Sequence, residues 1–318
     1  MSDEARQRVM EAAERLGYHV NRIASGLRAG SSRQLALVVT NLVNASFHTV
    51  TTEMQARAHE AGYQLLLCVS QGDPQQEAAS LATLAAHRVD GLVIVCTDDG
   101  VPEVNRLAAA GMPVVGLVRR PAGLRTPVVL GYDEEGADLA TRHLIELGHR
   151  RIGYIGGLPT TTTGHARFEG FKKAHLEAGL PLDLGLVEQG PFDPSFGIKA
   201  AKRLLARHDF TALFITNHES VFGALPELMR NQVTVPDDLS LVCYEDVPLF
   251  DCWHPPITVV DNRAAEMGRA AFDLLLAQIG RVTPPGDEPQ VIQVSPRLIV
   301  RESSSTRPDV PATQLASG

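Results

Sequence analysis

From Leu35 onward the chain repeats one pattern: a short run of Val, Ile and Leu, then a longer stretch whose apolar positions recur at helical spacing. The apolar runs predict strands at LALVVT (35–40), QLLLCVS (64–70), GLVIVC (91–96), PVVGLV (113–118), RIGYIG (151–156), TALFIT (211–216) and SLVCY (240–244). Helices are predicted between and after them, at 48–61, 75–88, 101–110, 134–147, 165–178, 195–207 and 218–231. Strands apolar on both faces and separated by helices describe parallel sheets covered on each side, an α/β class. Gly62, Gly111, Gly148 and Gly179 each follow a helical stretch, where a left-handed cap favours glycine. One series of strand–helix units precedes residue 132 and another follows it, which predicts two similar lobes with a cleft between them.

At 318 residues the chain is long enough for two domains, and no apolar run reaches the length that crosses a bilayer. The first residues, MSDEARQRVMEAAERLGYHV, mix charges of both signs instead of showing the layout of a secretory signal, so a cytoplasmic location is expected. Cys68, Cys96, Cys243 and Cys252 lack CxxC spacing, and neither a disulfide nor a metal is expected. The formal charge is −8, yet Arg15, Arg22, Arg28 and Arg33 fall, with His19, in a segment without Asp or Glu. That segment is either a local anion-seeking patch or a solvated linker. Of the polar end, SSSTRPDVPATQLASG (303–318), residues 305–318 read as a disordered tail.

Open parallel sheets bind ligands beyond the carboxyl ends of their strands. The polar residues there are Asn41, Ser46, Thr97, Asp98, Asp99, Arg119, Arg120, Asn217, His218, Glu219, Glu245 and Asp246, with Phe47 beside them. They could hold a small polar molecule, though loops are polar in any case. No GxSxG elbow and no GxxxxGK[ST] loop occurs; GYIGGLPTTTTG (153–164) follows a strand without dinucleotide-loop spacing, and reads as a turn with threonines facing the cleft. The histidines of NHES and CWHPP have no second ligand at metal spacing. No enzymatic activity and no cofactor are expected.

Taken together and in order, several stretches carry a resemblance: RVMEAAERLGYHVNRIASGLRAG, LALVVTNLVNASF, RVDGLVIV, GMPVVGLVRR, ATRHLIELGHRRIGYIGG, ARFEGFKKA, FTALFITNHESVFGAL, VPDDLSLVCYEDVP and PPITVVDNRAAEMGRAAFDLLL. The chain resembles the LacI/GalR family of bacterial transcriptional regulators over residues 1–304. The resemblance implies two Rossmann-like parallel-sheet lobes of the periplasmic-binding-protein type I with three crossovers, near 132, 261 and 290, preceded by a partial helical DNA-binding headpiece. The implied boundaries are 1–33 for the headpiece remnant (helix 3–16) and hinge helix, 34–132 with 262–289 for the N-terminal lobe, and 133–261 with 290–304 for the C-terminal lobe. The family has about two further headpiece helices, including the one that reads the major groove; the resemblance places them ahead of Met1, absent from this chain, and DNA affinity is then expected to be weak and salt-sensitive.

The resemblance further implies a ligand-responsive, DNA-binding repressor, a homodimer or tetramer. Its core would bind a small effector, a sugar or sugar derivative in preference to a nucleoside, and couple it to operator DNA. Asn21, Ala24, Ser25, Leu27 and Arg28 would meet DNA, with Leu27 as the minor-groove wedge. The effector would touch Ser46, Phe47, Arg119, Thr161, Thr163, Arg167, Phe192, Asn217, His218 and Glu245, with Phe47 and Phe192 stacking on a ring and Arg167 and Asn217 bonding hydroxyls. Arg167 could instead pair with Glu169 or Asp193, and Phe192 could belong to the core. Several positions depart from the family: Val20 replaces the Pro before the hinge Asn, Ser25 the hinge Arg, His218 and Val118 common Asp positions, and Glu245 another Asp, while Gly26 costs the hinge helix about 1 kcal/mol relative to Ala. A solute-binding protein without DNA binding and a sugar-directed cleft enzyme are the alternatives.

Overall fold

The computed structural model describes residues 31–207, 209–280 and 289–306, and the helical positions 7, 8, 12 and 15. The hinge, with Asn21, Ala24, Ser25, Leu27 and Arg28, most of the headpiece helix and the tail beyond 306 lie outside the described residues. Elements are numbered in chain order. The first lobe holds β1 (Gln34–Val39), α1 (Ala45–Glu60), β2 (Gln64–Val69), α2 (Pro74–Ala86), β3 (Gly91–Ile94), α3 (Val101–Ala109), β4 (Val114–Leu117) and β5 (Val128–Gly131). The second holds α4 (Asp133–Glu146), β6 (Ile152–Gly157), α5 (Thr162–Glu177), β7 (Val187–Gly190), α6 (Pro194–Leu205), β8 (Ala212–Ile215), α7 (His218–Arg230), β9 (Ser240–Tyr244), α8 (Pro248–Cys252) and β10 (Thr258–Asp261). The chain then returns to the first lobe with α9 (Ala264–Gln278) and β11 (Val291–Val294), and ends in the second with β12 (Arg297–Ile299).

Each sheet has six strands, in the orders β11-β5-β4-β3-β1-β2 and β12-β10-β9-β8-β6-β7, parallel except for the β10–β12 pair. Alternation along β1 shows why the central strands are apolar throughout. Leu35, Leu37 and Val39 pack against Met54 of α1 and Phe272 of α9, while Ala36 and Val38 pack against Leu81 of α2 and Leu107 of α3. Each fully buried Leu or Val of such a strand contributes about 1.5–3 kcal/mol. The second lobe repeats the arrangement, with α6 and α7 on one face and α4 and α5 on the other.

The chain passes between lobes at Tyr132 and again at Asn262 and Arg263. The third passage differs from the expectation of 290. Val291–Val294 pairs in parallel with β5, so these residues belong to the N-terminal lobe, and the switch falls at Ser295–Pro296. Pro296 has no N–H to continue a ladder, so pairing stops there.

Polar side chains set the helix starts. Asn44, Asp73, Thr161, Asp193 and Asn217 each accept from backbone N–H groups of the first turn of α1, α2, α5, α6 and α7. The cap at Thr161 starts α5 three residues before the expected 165, inside the run of β-branched threonines that hid it. Gly62, Gly111, Gly148 and Gly179 all have positive φ just past a helix end. Where the chain enters the core, the Asp90 carboxylate accepts from the Ser31 hydroxyl, from Ser32 N at 2.8 Å and Oγ at 3.0 Å, and from Arg33 N at 3.0 Å. Among the described residues no helix is long and apolar enough to cross a membrane.

Candidate functional site

A cavity of about 470 Å³ lies between the lobes, at the carboxyl ends of both sheets. Its first-lobe wall includes Thr40, Asn41, Asn44, Ser46, Phe47, Gln71, Val118, Arg119 and Met267; the second-lobe wall includes Asp133, Thr161, Thr163, Arg167, Phe192, Asn217, Glu219 and Glu245, with Asn262 at the second passage between them. The location follows from the helix starts, since Asn44, Thr161 and Asn217 are caps standing where a strand has just ended. The volume is within the range that small-ligand pockets occupy.

Arg167 anchors the second wall. Nε donates to Asp133 Oδ1 at 2.7 Å, Nη1 donates to the Thr216 carbonyl at 2.5 Å, and Nη2 stands 4.0 Å from Glu245 Oε1. The guanidinium lies 3.9 Å from the centre of the Tyr244 ring and 5.6 Å from that of Phe192. Burial disfavours its charge, but Asp133 and Glu245 hold it above its ordinary value. Lys cannot reproduce this combination of two directed hydrogen bonds and a planar group over an aromatic ring.

Glu245 gathers the contacts that join the lobes. From its own lobe it accepts from His218 Nδ1 at 2.6 Å and Asn217 Nδ2 at 3.0 Å; from the start of α1 in the other lobe it accepts from Ser46 Oγ at 3.4 Å and from Asn44. Asn262 Nδ2 in turn donates to Ser46 Oγ at 2.9 Å. Burial pushes the Glu245 carboxyl up, the His218 bond and the Arg167 charge outweigh it, and the net direction is downward, so the carboxylate stays ionised.

Val118 and Glu245 occupy matching places in the two lobes. Each follows its strand with positive φ, +64° and +76°, and each donates its N–H to the next strand at 2.8 Å, to Val129 and Val260. For a β-branched and a long side chain that conformation costs about 1–3 kcal/mol each. Strain at these two points is spent on aiming Glu245 and the residue after Val118, Arg119, at the cavity.

Of the residues expected at the ligand, Ser46, Phe47, Arg119, Thr161, Thr163, Arg167, Phe192, Asn217 and Glu245 line the cavity. His218 does not. Its ring lies behind Glu245, with Nε2 3.4 Å from the Ala45 N–H of the other lobe, so the His218 contact is between lobes. The two contacts select the tautomer with the proton on Nδ1. Asn217 lines the cavity with its side chain engaged: Oδ1 accepts from Glu219 N and Ser220 N while Nδ2 donates to Glu245, which makes it a positioning residue. Arg167 pairs with neither Glu169, which meets Lys172, nor Asp193, which caps α6.

Asn44 and Gln71 follow the predicted strands 35–40 and 64–70 but are not among the residues singled out there, while Asp133 and Asn262 stand at passages between lobes to which no predicted strand run points. Thr97, Asp98, Asp99, Arg120 and Asp246 follow strands but do not line the cavity. Thr97 binds Glu77 and Asp246 binds Arg301.

The Phe192 ring rests against Gly157, where an added Cβ would come within 2.4 Å of it. Gly157→Ala is expected to cost about 1–3 kcal/mol by overpacking, and far less in a Phe192→Ala background. Additive costs in thermal unfolding of the single and double variants would show that the ring is not the obstacle.

Two lobes with three passages and a polar cavity between them define the class of proteins that hold a small ligand between two lobes. A family model described as a periplasmic binding protein-like domain matches residues 141–304. The chain is 31% identical over 305 residues to the HTH-type transcriptional repressor PurR of Haemophilus influenzae (strain PittEE), covering 95% of this chain and 90% of that protein. It superposes on the transcriptional regulator CelR–cellobiose complex with a TM-score of 0.77 and 30% identity, over 95% of this chain and 91% of that one. A LacI family transcriptional regulator from Mycobacterium smegmatis matches with a TM-score of 0.75 and 27% identity, over 86% of this chain and 99% of its own. The chain belongs to the LacI/GalR family: it is a ligand-responsive, DNA-binding transcriptional repressor with a periplasmic-binding-protein-like core, not an enzyme.

Proposed function

We propose that the effector is a sugar or sugar derivative, held between the lobes by Arg119, Thr163, Arg167 and Phe192 with Ser46, Phe47, Thr161 and Glu245 around it. The observation that carries this reading is the chemistry of the cavity. Asp133, Glu219, Glu245, Asn41, Asn44 and Asn262 supply acids and amides for several hydroxyls, and Phe47 and Phe192 supply the apolar faces on which a sugar ring stacks. The relative solved with cellobiose supports the same class.

Effector binding shifts the population of lobe arrangements through the start of α1, which touches the cavity, Glu245 and His218 at once. In a homodimer, that movement would change the spacing of the segments entering at Ser31–Arg33, which the Asp90 carboxylate ties to β3, and through them the hold of the hinge on operator DNA in the cytoplasm.

A thermal-shift screen of sugars, cellobiose and nucleosides tests the effector class. A ligand at about 100 times its Kd adds about 2.7 kcal/mol, a rise of about 5 °C or more. Stabilisation by nucleosides with none by any sugar would sink the proposal.

A further inference from the structure

We infer that the effector carries an anionic group, a carboxylate or a phosphate, which Arg119 receives on the first-lobe wall; this rests on the sugar reading above and narrows it to acidic sugar derivatives. The walls differ in charge. All the carboxylates that line the cavity, Asp133, Glu219 and Glu245, belong to the second lobe, whereas the first-lobe wall carries Arg119 as its one charged residue among the described residues. The Arg119 guanidinium makes no hydrogen bond and no ion pair with any described residue, unlike Arg167, whose charge Asp133 and Glu245 already balance.

Two acids act on Arg119 through space without contact. Glu77 turns its carboxylate to Thr97, accepting from N at 3.0 Å and Oγ1 at 3.0 Å, and burial pushes its carboxyl up; Asp98 is exposed to solvent. Burial lowers Arg119 below its ordinary value, yet a guanidinium stays charged, so a half-buried cation faces the cavity unpaired. Its direction is built into the backbone. Arg119 N donates to the Leu117 carbonyl at 2.7 Å around Val118 at φ +64°, a strained three-residue turn that swings the chain from β4 toward the cleft. The Thr40 hydroxyl, at the end of β1 on the same wall, also has no partner among the described residues and can donate to the same anion. A ligand with its anion at this wall and its hydroxyls toward Asp133 and Glu245 meets the complementary charge at both ends.

The test titrates the full chain calorimetrically with matched trios: D-glucose, D-glucuronate and D-glucose 6-phosphate, and the same three forms of D-galactose. The expected result is that an acidic member binds about 10- to 100-fold tighter than its neutral parent, the carboxylate and phosphate arms telling which anion is taken. Arg119→Gln should bring that ratio close to one and Arg119→Lys should restore part of it, with thermal unfolding confirming that both variants fold. Equal or tighter binding of the neutral parents, or a ratio that survives Arg119→Gln, overturns this inference alone. Failure of every sugar, charged and neutral, overturns the sugar reading and this inference with it.

Discussion

Arg167→Met is expected to destabilise the protein by about 3–5 kcal/mol, the cost of removing one partner from a buried ion pair, and to lower effector affinity at least about 10-fold. The guanidinium is buried and balances Asp133 at 2.7 Å and Glu245 at 4.0 Å; without it two carboxylates face each other's field inside the cleft. Methionine is apolar and of similar length, so the loss is one of charge, hydrogen bonds and the guanidinium's contacts with the Tyr244 and Phe192 rings. The melting temperature should fall by about 10 °C, and Arg167→Lys should recover only part of this, because a point charge cannot serve Asp133 and the Thr216 carbonyl together while seated over the Tyr244 ring. A drop below about 2 °C for Arg167→Met would mean that cavity water rehydrates both carboxylates and that the array contributes little.

The strand ends explain how much of this site could be seen beforehand. Central strands are buried on both faces, so LALVVT, RIGYIG and SLVCY announced themselves as continuous apolar runs, and the residues just beyond them led to Ser46, Phe47, Arg119, Asn217 and Glu245. The short edge strands β7, β11 and β12 bury one face at most and are three or four residues long, too little for a period to show, and the third passage between lobes was misplaced for that reason. Asp133 stands on a passage between lobes, with no strand run pointing to it, and becomes meaningful only once Arg167, 34 positions away, is folded against it. His218 was legible as a polar residue after β8, but its partner Glu245 and the Ala45 N–H come from other elements, so its role as a lobe contact is a property of the fold. The caps lie between these cases: Asn44, Thr161 and Asn217 obey a local rule that sequence shows, and line a cavity that it does not.

Asn217 separates the two demands placed on such a cap. Asn217→Ala removes the acceptor of Glu219 N and Ser220 N, worth about 1 kcal/mol, and a donor to buried Glu245, worth about 1–3 kcal/mol, for an expected total of about 2–4 kcal/mol. Asn217→Asp keeps the acceptor and replaces the donating amide by an oxygen where Asn217 Nδ2 now stands 3.0 Å from Glu245 Oε2. Two carboxylates that close hold one proton between them, so the folded pair binds a proton above the unfolded carboxylate value of about 4. The folded state then holds more protons than the unfolded one, so the stability of Asn217→Asp falls as pH rises from about 5 to 7 and returns on acidification, by up to about 1.4 kcal/mol per pH unit. In the native protein the sign is opposite: the lowered Glu245 value gives stability that is complete above about pH 4.5 and is lost only as pH falls through the folded value. Measured as the difference between each variant and the native protein at pH 5, 6 and 7, Asn217→Asp should converge toward the native protein on acidification while Asn217→Ala stays at a constant offset. A constant offset for Asn217→Asp as well would place the new carboxylate away from Glu245, and with it would fall the view that this cap's main task is to hold Glu245 in position for the opposite lobe.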